Sequence, residues 1–503
     1  MTSPLRLLAF ALFLAPSLLP AAENQRFILE RPYPVTEIPE PDRSLPVTNV
    51  ILMIGDGMGI HHLSAAWAAN RGRLFIENCP VTGISKTWCA DKLVTDSAAA
   101  GTAMATGTKT LYHRVAVCPR GNKLDSLVDK AADMGKSTGV IATCELNDAT
   151  PASFCANNEK RSDAYGIIGD YPRSRADFIF GGGGKYFTQR PDGRDIFQEM
   201  QAQGYRVART WEEAGALPPG KTLAVTAPGN LPPPSKRGDV FRRATLKALD
   251  TLSRNPEGFF LMVEGSKVDW AAHANDPAGM IGEFLAFDKA VGAALDFAKK
   301  DGNTTVIILP DHGNSGFSIG RNGLKKSYTS LTLEDLFGTV SKITRTAEGL
   351  EKIMLNTKPE EIKNVFRQYT GIDITDQEMK TLAGSKNYKA EDYTSVSNSN
   401  NMTHNITVML NERMPFGFTT GGHTGEEVFL AVYHPQGDIL KGNVRNTDVH
   451  NYLYKVSGLQ KPMKQLTSEI FAKHTDVFNG LKYSIVQGKD FPKLVVKNKR
   501  KND

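Results

Sequence analysis

The chain has 503 residues, of which 40% are hydrophobic and 23% charged, a composition typical of a globular protein with a sizeable core. These values exclude bulk disorder, a collagen-like fibre and a polytopic membrane protein. Lys and Arg number 60 against 54 Asp and Glu, which leaves a formal charge of +6. This excess lacks the clustered basic face of a nucleic-acid-binding protein, but a mild positive field suits attraction of an anionic small substrate.

The N-terminus has the pattern of a secretory signal peptide. Arg6 precedes an apolar run over residues 7–19, and the small residues Ala21 and Ala22 precede polar Glu23. The run is short for a membrane span, and an uncleaved anchor is the alternative. We therefore expect residues 1–22 to be removed, and the mature protein to be periplasmic or secreted with no membrane span.

Export would permit disulfide bonds among the cysteines. Their odd number leaves at least one thiol without a partner in the same chain. The local pairings Cys79–Cys89 and Cys144–Cys155 are the first to test, although spacing alone does not fix connectivity. No two cysteines form a CxxC motif, which argues against a thiolate zinc site. The five are Cys79, Cys89, Cys118, Cys144 and Cys155.

Short apolar runs end in polar, often acidic, clusters at four points of the chain. They cover residues 50–54, 140–143, 259–263 and 306–309. Continuous apolar runs predict strands that are buried on both faces, as in a parallel sheet. Helical patterns lie between them over residues 124–134 and 280–300, the second followed by Gly302. This alternation predicts an α/β fold, a three-layer sandwich around a largely parallel central sheet.

Residues 325–400 differ in composition from the rest of the chain. They are rich in Lys, Glu, Thr, Ser and Asn, and they predict an inserted, mostly helical cap region with a polar loop. The α/β core then takes residues 23–324 and 401–460, with the sheet resuming at residues 428–433. Residues 461–503 predict a peripheral C-terminal extension with a basic end.

The ends of the four predicted strands supply acidic side chains. Parallel sheets place their sites just beyond the carboxyl ends of their strands. Carboxylates gathered at one such edge repel one another unless cations neutralise them. The sequence therefore predicts a site for several metal ions, with candidate ligands Asp56, Asp148, Glu264 and Asp311.

Small residues follow Ser97 in the segment DSAAAG, which begins at Asp96. A helix that begins at Ser97 would direct free backbone amides and the positive end of its dipole at an anion beside the hydroxyl. The alternative is an alanine-rich helix that Asp96 or Ser97 simply caps.

Three further motifs carry side chains that bind metals. Asp269 and His273 are four residues apart, which places both on one face of a helix and suits one zinc ion. Asp311 and His312 follow a buried strand, and His423 stands in a glycine-flanked loop. Each motif also has a simpler interpretation, namely a surface ion pair, a turn, and a histidine satisfied by hydrogen bonds.

Taken together, these motifs resemble the alkaline phosphatase family in residue type and in order. The resemblance spans roughly residues 47–459, and it rests on GDGMG around Asp56, DSAA at Ser97, DATP at Asp148, Glu264 with Asp269 and His273, Asp311-His312, and HTG at His423. It implies an exported enzyme that hydrolyses phosphate monoesters through a phosphoserine intermediate on Ser97. It also allows a homodimer.

The resemblance implies two zinc ions and one magnesium ion. The zinc ions would be held by Asp269, His273 and His423, and by Asp56, Asp311 and His312 next to Ser97. The magnesium ion would share Asp56 and take Thr150 and Glu264, with Asp148 in its water shell. These assignments fit the preference of zinc for His and Asp and of magnesium for oxygen ligands.

The resemblance also assigns a phosphate-binding arginine. Arg161 stands thirteen residues after Asp148, at the family's position for this residue, and it is favoured over the nearby Lys160 and Arg173. Its guanidinium can bind two phosphate oxygens at once. Ser97 and Arg161 are therefore the predicted catalytic residues.

The sequence departs from some relatives at two positions. Trp270 stands where several relatives have lysine or histidine, and Asn314 stands where many have a second histidine. Neither is an expected ligand, so they bear on the pH optimum and the metal affinity rather than on activity.

Two other functions stay open at this point. One is a related metallohydrolase that prefers phosphodiesters or sulfate esters, against which the magnesium ligands and Arg161 favour monoesters. The other is a non-catalytic phosphate-binding protein, against which the intact Ser97 favours catalysis because binding alone needs no nucleophile.

Overall fold

The structure is a computed structural model that describes residues 33–36, 47–324, 326–385, 401–459, 481–487 and 492–497. The predicted signal peptide, the polar end of the predicted cap and much of the C-terminal extension lie outside these residues.

Within the described residues the strands are, in chain order, β1 (Asn49–Gly55), β2 (Val81–Lys86), β3 (Ser137–Glu145), β4 (Phe178–Gly182), β5 (Arg206–Ala208), β6 (Thr222–Val225), β7 (Phe259–Gly265), β8 (Thr304–Pro310), β9 (Gly313–Asn314), β10 (Ser318–Ile319), β11 (Phe416–Gly417), β12 (His423–Thr424), β13 (Val428–Tyr433), β14 (Gly442–Arg445), β15 (Lys482–Gln487) and β16 (Pro492–Lys497). The α-helices are α1 (Ile60–Ala69), α2 (Ser97–Thr106), α3 (Leu127–Asp133), α4 (Ala149–Cys155), α5 (Ala164–Asp170), α6 (Lys185–Thr188), α7 (Ile196–Ala202), α8 (Trp211–Ala216), α9 (Pro234–Arg237), α10 (Val240–Leu252), α11 (Lys267–His273), α12 (Pro277–Asp301), α13 (Leu333–Phe337), α14 (Ala347–Met354), α15 (Ile362–Thr370), α16 (Asp376–Ser385), α17 (Met402–Asn411) and α18 (Asn446–Val456). Short 3-10 helices cover Phe75–Asn78, Tyr171–Arg173, Tyr328–Ser330, Val340–Lys342 and Pro359–Glu361.

Ten of these strands form one sheet, in the order β14-β2-β13-β8-β1-β7-β3-β4-β6-β5. Strand β13 is antiparallel to both of its neighbours, β2 and β8, and every other neighbouring pair is parallel. The four apolar runs predicted as strands are β1, β3, β7 and β8, which lie side by side in the centre of the sheet. The prediction of a largely parallel central sheet is confirmed.

The central strands contribute alternate side chains to two hydrophobic cores. In β1, Ile51 and Met53 pack with side chains of α1, α10 and α12, whereas Val50, Leu52 and Ile54 pack with side chains of α2, α3 and α4. All seven residues of β1 are buried, because helices cover both faces of the sheet. The molecule is therefore the three-layer α/β sandwich that the sequence predicts.

The two predicted helices are α3 and α12, with different ends. Helix α12 begins at Pro277, because Asp276 caps it by accepting the N–H groups of Ala278 and Gly279 at 3.1 and 3.0 Å. It ends as predicted at Gly302, which adopts the left-handed conformation with φ 66°. Helix α3 begins at Leu127, after the predicted start at residue 124, because a Ser126 capping box starts it there.

The predicted cap region is helical where the structure describes it, and it contains α13 to α16. Helix α17 follows residue 400, and the sequence assigned it to the core, but it packs against α14 and α16. Thr403 donates to Glu351 Oε2 at 2.8 Å, and Asn405 donates to Ser385 Oγ at 2.7 Å. Side chains of α17 also belong to the hydrophobic core that contains Ile51 and Met53, and the boundary at residue 400 stays a prediction.

All five cysteines lie in the described residues, and none of them forms a disulfide bond. Neither Cys79–Cys89 nor Cys144–Cys155, the pairings proposed first, is formed. Cys144 lies in β3 with its Sγ 3.7 Å from Glu264 Oε2, whereas Cys155 ends α4 and packs in the core of that face. The proposed Cys144–Cys155 pairing is wrong because closeness in sequence does not bring these two side chains together.

The described part of the C-terminal extension is the antiparallel pair β15–β16. Every residue of β15 is exposed, and the peripheral position of the whole extension stays a prediction. None of the helices in the described part of the chain combines the length and the apolar character that crossing a bilayer requires.

A buried ion pair joins the end of α9 to α12. Arg237 donates from two nitrogens to the Glu283 carboxylate at 3.0 and 2.5 Å, and the two side chains are 2% and 5% exposed. Lys267 Nζ lies 3.8 Å from the same carboxylate and donates to the Leu231 carbonyl at 3.0 Å. Since Lys267 begins α11, this network anchors the helix that carries Asp269 and His273.

We expect Arg237→Ala to lower the free energy of unfolding by about 3 kcal/mol, because it leaves the buried Glu283 carboxylate with only the more distant Lys267. Arg242→Ala is the matched control, since Arg242 pairs with Asp239 at 3.0 Å on the surface, and its loss should cost at most about 1 kcal/mol. Denaturant unfolding of the three proteins measures both effects. Equal losses of unfolding free energy in the two variants would contradict the stabilising role assigned to the buried Arg237–Glu283 pair.

Candidate active site

Ser97 is the first residue of α2. Asp96 caps this helix by accepting the N–H of Ala99 at 3.2 Å, so the helix begins where the sequence predicts. Ser97 is only 2% exposed, and its Oγ lies 3.1 Å from His312 Nε2. The unpaired amides and the positive dipole end of α2 can accept an anion beside this hydroxyl.

The acidic side chains at the strand ends come together at one edge of the sheet. Asp56 directly follows β1, Asp311 directly follows β8, and Glu264 lies near the end of β7. Strand β1 lies between β7 and β8, and the N–H of Gly57 donates to Asp311 Oδ1 at 3.1 Å. Asp148 follows β3 and caps α4. The predicted gathering of carboxylates is thus present.

Three histidines present the same nitrogen to this edge. In His273, His312 and His423, Nδ1 lies 2.7, 3.1 and 2.8 Å from a backbone carbonyl oxygen. Because a carbonyl oxygen can only accept, Nδ1 carries a proton, and each ring in its neutral form therefore presents a lone pair at Nε2. This arrangement is typical of metal-binding histidines, whose second nitrogen is fixed by such a hydrogen bond.

Asp269, His273 and His423 form the first cluster. The Nε2 atoms of His273 and His423 are 3.1 Å apart, and Asp269 carboxylate oxygens lie 3.3 and 3.7 Å from them. Two lone pairs at this distance repel unless a cation lies between them. One carboxylate and two imidazoles are the ligand types that zinc prefers.

Asp56, Asp311 and His312 form the second cluster, in which His312 lies beside Ser97. His312 Nε2 lies 3.5 Å from Asp56 Oδ1 and 3.3 Å from Asp311 Oδ2. Ligand atoms of Asp56, Asp269 and His312 also lie within 4.8 Å of one another. The sequence assigned Asp269 to the first cluster alone, whereas the structure brings it close to both.

Several buried oxygen atoms at this edge accept no hydrogen bond from the described residues. They are Asp56 Oδ1, Asp311 Oδ2 and Thr150 Oγ1. A buried polar atom without a partner costs about 1–3 kcal/mol, so such atoms are rare unless something else binds them. All three belong to predicted metal ligands, so the donor set fits bound cations.

The pKa values of the carboxyl groups report the same crowding. Burial and the neighbouring Asp311 raise the pKa of Asp56 well above its usual range. Burial and Asp148 raise the pKa of Glu264 to about 8, and burial and Asp269 raise that of Asp311 to about 7. Without cations, these carboxylates would be costly to ionise together.

Asp269 is the exception among the acidic groups. Burial acts against its ionisation, but the imidazoles of His273 and His423 hold the pKa of its carboxyl well below its usual range. Burial and the adjacent His312 lower the pKa of His423 to about 4. The first cluster therefore holds an ionised carboxylate beside a neutral His423 imidazole, as a zinc site requires.

Arg161 is held beside the nucleophile by two carboxylates. Its guanidinium donates to Asp96 Oδ2 at 3.1 Å and to Asp148 Oδ1 at 2.9 Å, and its side chain is 15% exposed. Because Asp96 immediately precedes Ser97, this contact holds the guanidinium close to the start of α2. The alternative Arg173 pairs with Asp170, and its side chain is 79% exposed.

Sequence reasoning gave Asp96 only a possible capping role, and it did not predict a contact between Asn314 and the metal ligands. Asn314 Nδ2 donates to Asp269 Oδ1 at 2.6 Å, and Asn314 pairs with His423 in the short β9–β12 ladder. It therefore orients one predicted ligand and positions another. In the sequence, the position of Asn314 soon after Asp311-His312 could have indicated its role. The position of Asp96 at the start of the predicted helix could have done the same for Asp96.

Comparison with known proteins gives one consistent result. A family described as alkaline phosphatase matches residues 47–459. Alkaline phosphatase 4 of Bacillus subtilis is 35% identical, over 82% of this chain and 88% of the relative. A cold-active alkaline phosphatase from Shewanella is 28% identical with a TM-score of 0.72, covering 82% of this chain and 100% of that one. The Thermus thermophilus enzyme is 25% identical with a TM-score of 0.74, covering 84% and 94%. The chain belongs to the alkaline phosphatase family of phosphomonoesterases.

Proposed function

We propose that this protein is an exported alkaline phosphatase that hydrolyses phosphate monoesters through a phosphoserine intermediate on Ser97, at a site for two zinc ions and one magnesium ion. One observation carries the proposal. The Ser97 hydroxyl lies 3.1 Å from His312 Nε2, within a group of buried carboxylates and imidazole lone pairs that cations would neutralise.

Two zinc ions would be held by the two clusters, with Asp269, His273 and His423 in one and Asp56, Asp311 and His312 in the other. Bound zinc supplies Lewis-acid chemistry that favours the deprotonated forms of hydroxyl groups and water. The chain's part is to fix the ligands. The backbone carbonyls that accept from the three Nδ1 atoms, and the amide of Asn314, do this before any ion binds.

The magnesium ion would be held by Asp56, Thr150 and Glu264, with Asp148 binding through water. Thr150 is 1% exposed and its hydroxyl oxygen accepts no hydrogen bond from the described residues, which supports a hard cation there. A solved structure of a variant alkaline phosphatase from the Antarctic bacterium TAB5 has Mg bound in its M3 site. We infer that Asp56, Thr150 and Glu264 bind magnesium in this protein.

In the proposed reaction, Ser97 Oγ loses its proton and forms a bond to phosphorus while the bond to the leaving oxygen breaks, and that oxygen takes up a proton to leave as the alcohol. The oxygen of a water molecule then forms a bond to phosphorus, the Oγ–phosphorus bond breaks, and Oγ regains a proton as phosphate is released. Arg161 neutralises two equatorial oxygens, and the amides at the start of α2 face the same charge. Asp96 and Asp148 hold the guanidinium in position, so little reorganisation accompanies the reaction.

Export and the quaternary state complete the proposal. The N-terminal pattern supports cleavage after about residue 22, with a periplasmic or secreted product. A homodimer stays a prediction.

The experiment that tests the function is a panel of rates on an aryl phosphate monoester, the matched diester and the matched sulfate ester, with zinc and magnesium measured in the same preparation. A monoesterase rate that dominates and depends on zinc supports the proposal, whereas a dominant diesterase or sulfatase rate, or phosphate binding without turnover, contradicts it.

Ser97→Ala should abolish the phosphoseryl intermediate while zinc stays bound, because the alanine has no oxygen to phosphorylate. Acid quenching after incubation with labelled phosphate, followed by counting of protein-bound label, measures this. Ser64→Ala is the control, since Ser64 lies in α1 and its hydroxyl donates to the Ile60 carbonyl. Label trapped on the Ser97→Ala protein would overturn the assignment.

Arg161→Ala should raise the inhibition constant for phosphate by about 10- to 100-fold, because a bidentate charged contact contributes about 1.5–3 kcal/mol. Metal content should stay at the wild-type level. Arg173→Ala removes a nearby arginine that points to solvent and should leave the inhibition constant unchanged. Unchanged inhibition in the Arg161 variant would mean that another cation binds the phosphate.

Glu264→Ala should reduce monoesterase activity much more than diesterase activity, while both zinc ions stay bound. A monoester has a charged oxygen where a diester has an alkyl group, and the water shell of a magnesium ion would face that oxygen. Ratios of kcat/KM for matched aryl mono- and diesters, with metal analysis, measure this selectivity.

The control for this comparison is Glu145→Ala, which removes a nearby carboxylate that pairs with Lys185 at 2.8 Å instead. Its ratio should match that of the wild type. Equal losses on the two substrates in Glu264→Ala would show that this carboxylate supports the fold or the zinc clusters rather than selectivity.

A further inference from the structure

We propose that a cavity between α9, α10 and α12 binds flat aromatic carboxylates that carry a hydroxyl group at the end opposite the carboxylate. We call it the α12 cavity, and its volume of about 480 Å³ is typical of small-molecule sites. Neither Ser97, Arg161 nor any of the predicted metal ligands lines it. Binding in the α12 cavity is therefore a property separate from the proposed function.

The walls of the α12 cavity are mainly apolar and aromatic. The rings of Tyr33 and Phe75 have centroids 5.7 Å apart and are nearly parallel, at an angle of 9°. Phe241 of α10 and Leu285 of α12 also line the cavity. Ring surfaces and apolar side chains of this kind favour a flat aromatic body over a sugar or a highly charged group.

A buried carboxylate holds the Tyr33 wall in place. Asp288 is 0% exposed, and it accepts from the Tyr33 hydroxyl at 2.5 Å and from the N–H groups of Phe75 and Ile76 at 2.8 Å each. These three donors engage both carboxylate oxygens. Because the bonds order the two rings before any ligand binds, a ligand that packs against them loses little additional entropy.

Lys289 supplies a positive charge at one end of the α12 cavity. Gly282 and Lys289 both line the cavity and are seven residues apart on α12, so they lie on one face of the helix, separated by about 10 Å along its axis. Lys289 Nζ lies 4.9 Å from the Tyr33 ring centroid. Among the described residues no carboxylate pairs with Lys289, whereas the cavity's other cation, Arg242, pairs with Asp239 at 3.0 Å.

Ser235 supplies a hydroxyl at the Gly282 end. It lines the cavity and is only 7% exposed, and its Oγ forms no hydrogen bond with any described residue. Arg237, two residues later in α9, donates to Glu283, which brings α9 to this end of α12. A buried hydroxyl without a partner is rare in proteins. A polar group of a ligand in the cavity would supply the missing partner.

These positions determine the class of ligand. The cation and the free hydroxyl lie toward opposite ends of a cavity whose walls between them are apolar. A neutral hydrocarbon would leave both polar groups without a partner, and inorganic phosphate would leave the aromatic walls without contact. A flat aromatic carboxylate with a distal hydroxyl satisfies all three features at once.

The test uses 6-hydroxy-2-naphthoate as the probe, with 2-naphthoate and 2-naphthol as matched compounds that each lack one polar group. Titration calorimetry on the full chain, loaded with zinc and magnesium, measures the three Kd values. The probe should bind about fivefold more tightly than either matched compound, because each polar group adds one modest contact. Equal affinities for the three compounds would overturn the inference.

Two variants assign the polar contacts separately. Lys289→Met should raise Kd about fivefold for the two carboxylates and leave 2-naphthol unchanged. Ser235→Ala should raise Kd about fivefold for the two hydroxyl compounds and leave 2-naphthoate unchanged. Lys300→Met is the control, because Lys300 lies on the same helix and pairs with Asp296 at 2.8 Å on the surface. A variant that weakens all three compounds equally, or none of them, contradicts the assignment of its polar end.

The position of the probe is tested by filling the cavity. Ala286 lines the cavity on the same face of α12 and is half-buried, so Ala286→Trp should abolish binding of all three compounds. Saturating inorganic phosphate should leave the Kd of the probe unchanged. Full binding by the Ala286 variant, or displacement of the probe by phosphate, would place the probe elsewhere and overturn the inference. The Lys289 and Ser235 variants keep the test decisive where the larger side chain is not tolerated.

Two further outcomes separate the occupants and the functions. A protein without residues 23–32 that binds the probe, when the complete chain does not, would show that the chain's own residues fill the cavity, which also overturns the inference. A protein that binds the probe as described but hydrolyses no phosphate monoester would contradict the proposed function and support the α12 cavity.

Discussion

Mutual repulsion of buried carboxylates is the constraint on which the rest of this structure depends. Four parallel strands lie side by side and place acidic side chains at one edge of the sheet, where Asp56, Glu264 and Asp311 are buried. Burial and neighbouring charges raise the pKa values of Asp56, Glu264 and Asp311, so the ionised group is costly without counter-charge. Cations would relieve this cost, and the fold would thereby couple its own stability to the metals that we propose for the reaction.

The surrounding structure fixes the orientation of the side chains in the site. Backbone carbonyls set the tautomers of His273, His312 and His423, and Asp96 both starts the nucleophile's helix and bonds Arg161. The buried Arg237–Glu283 pair anchors the helix that carries Asp269. Since these contacts exist before any ligand binds, the site is preorganised in the sense that electrostatic catalysis requires.

The sequence predicted the centre of the molecule well and its periphery less well. Strands β1, β3, β7 and β8 were predictable because fully buried strands are continuously apolar. The start of α3 was missed because the Ser126 capping box is a local contact rather than a periodic pattern. The position of Asp269 between two clusters and the role of Asn314 depend on segments that are far apart in sequence and meet only in the folded chain, which spacing cannot reveal.

The most direct test of the central claim is a thermal unfolding measurement on metal-free protein as zinc and magnesium are added back in turn, with bound metal counted at each step. The account predicts that Tm rises with each addition, that it levels off at two zinc ions and one magnesium ion per chain, and that mutual repulsion among the carboxylates makes the metal-free protein the least stable form. A metal-free protein that unfolds at the same temperature as the fully loaded one would contradict the account.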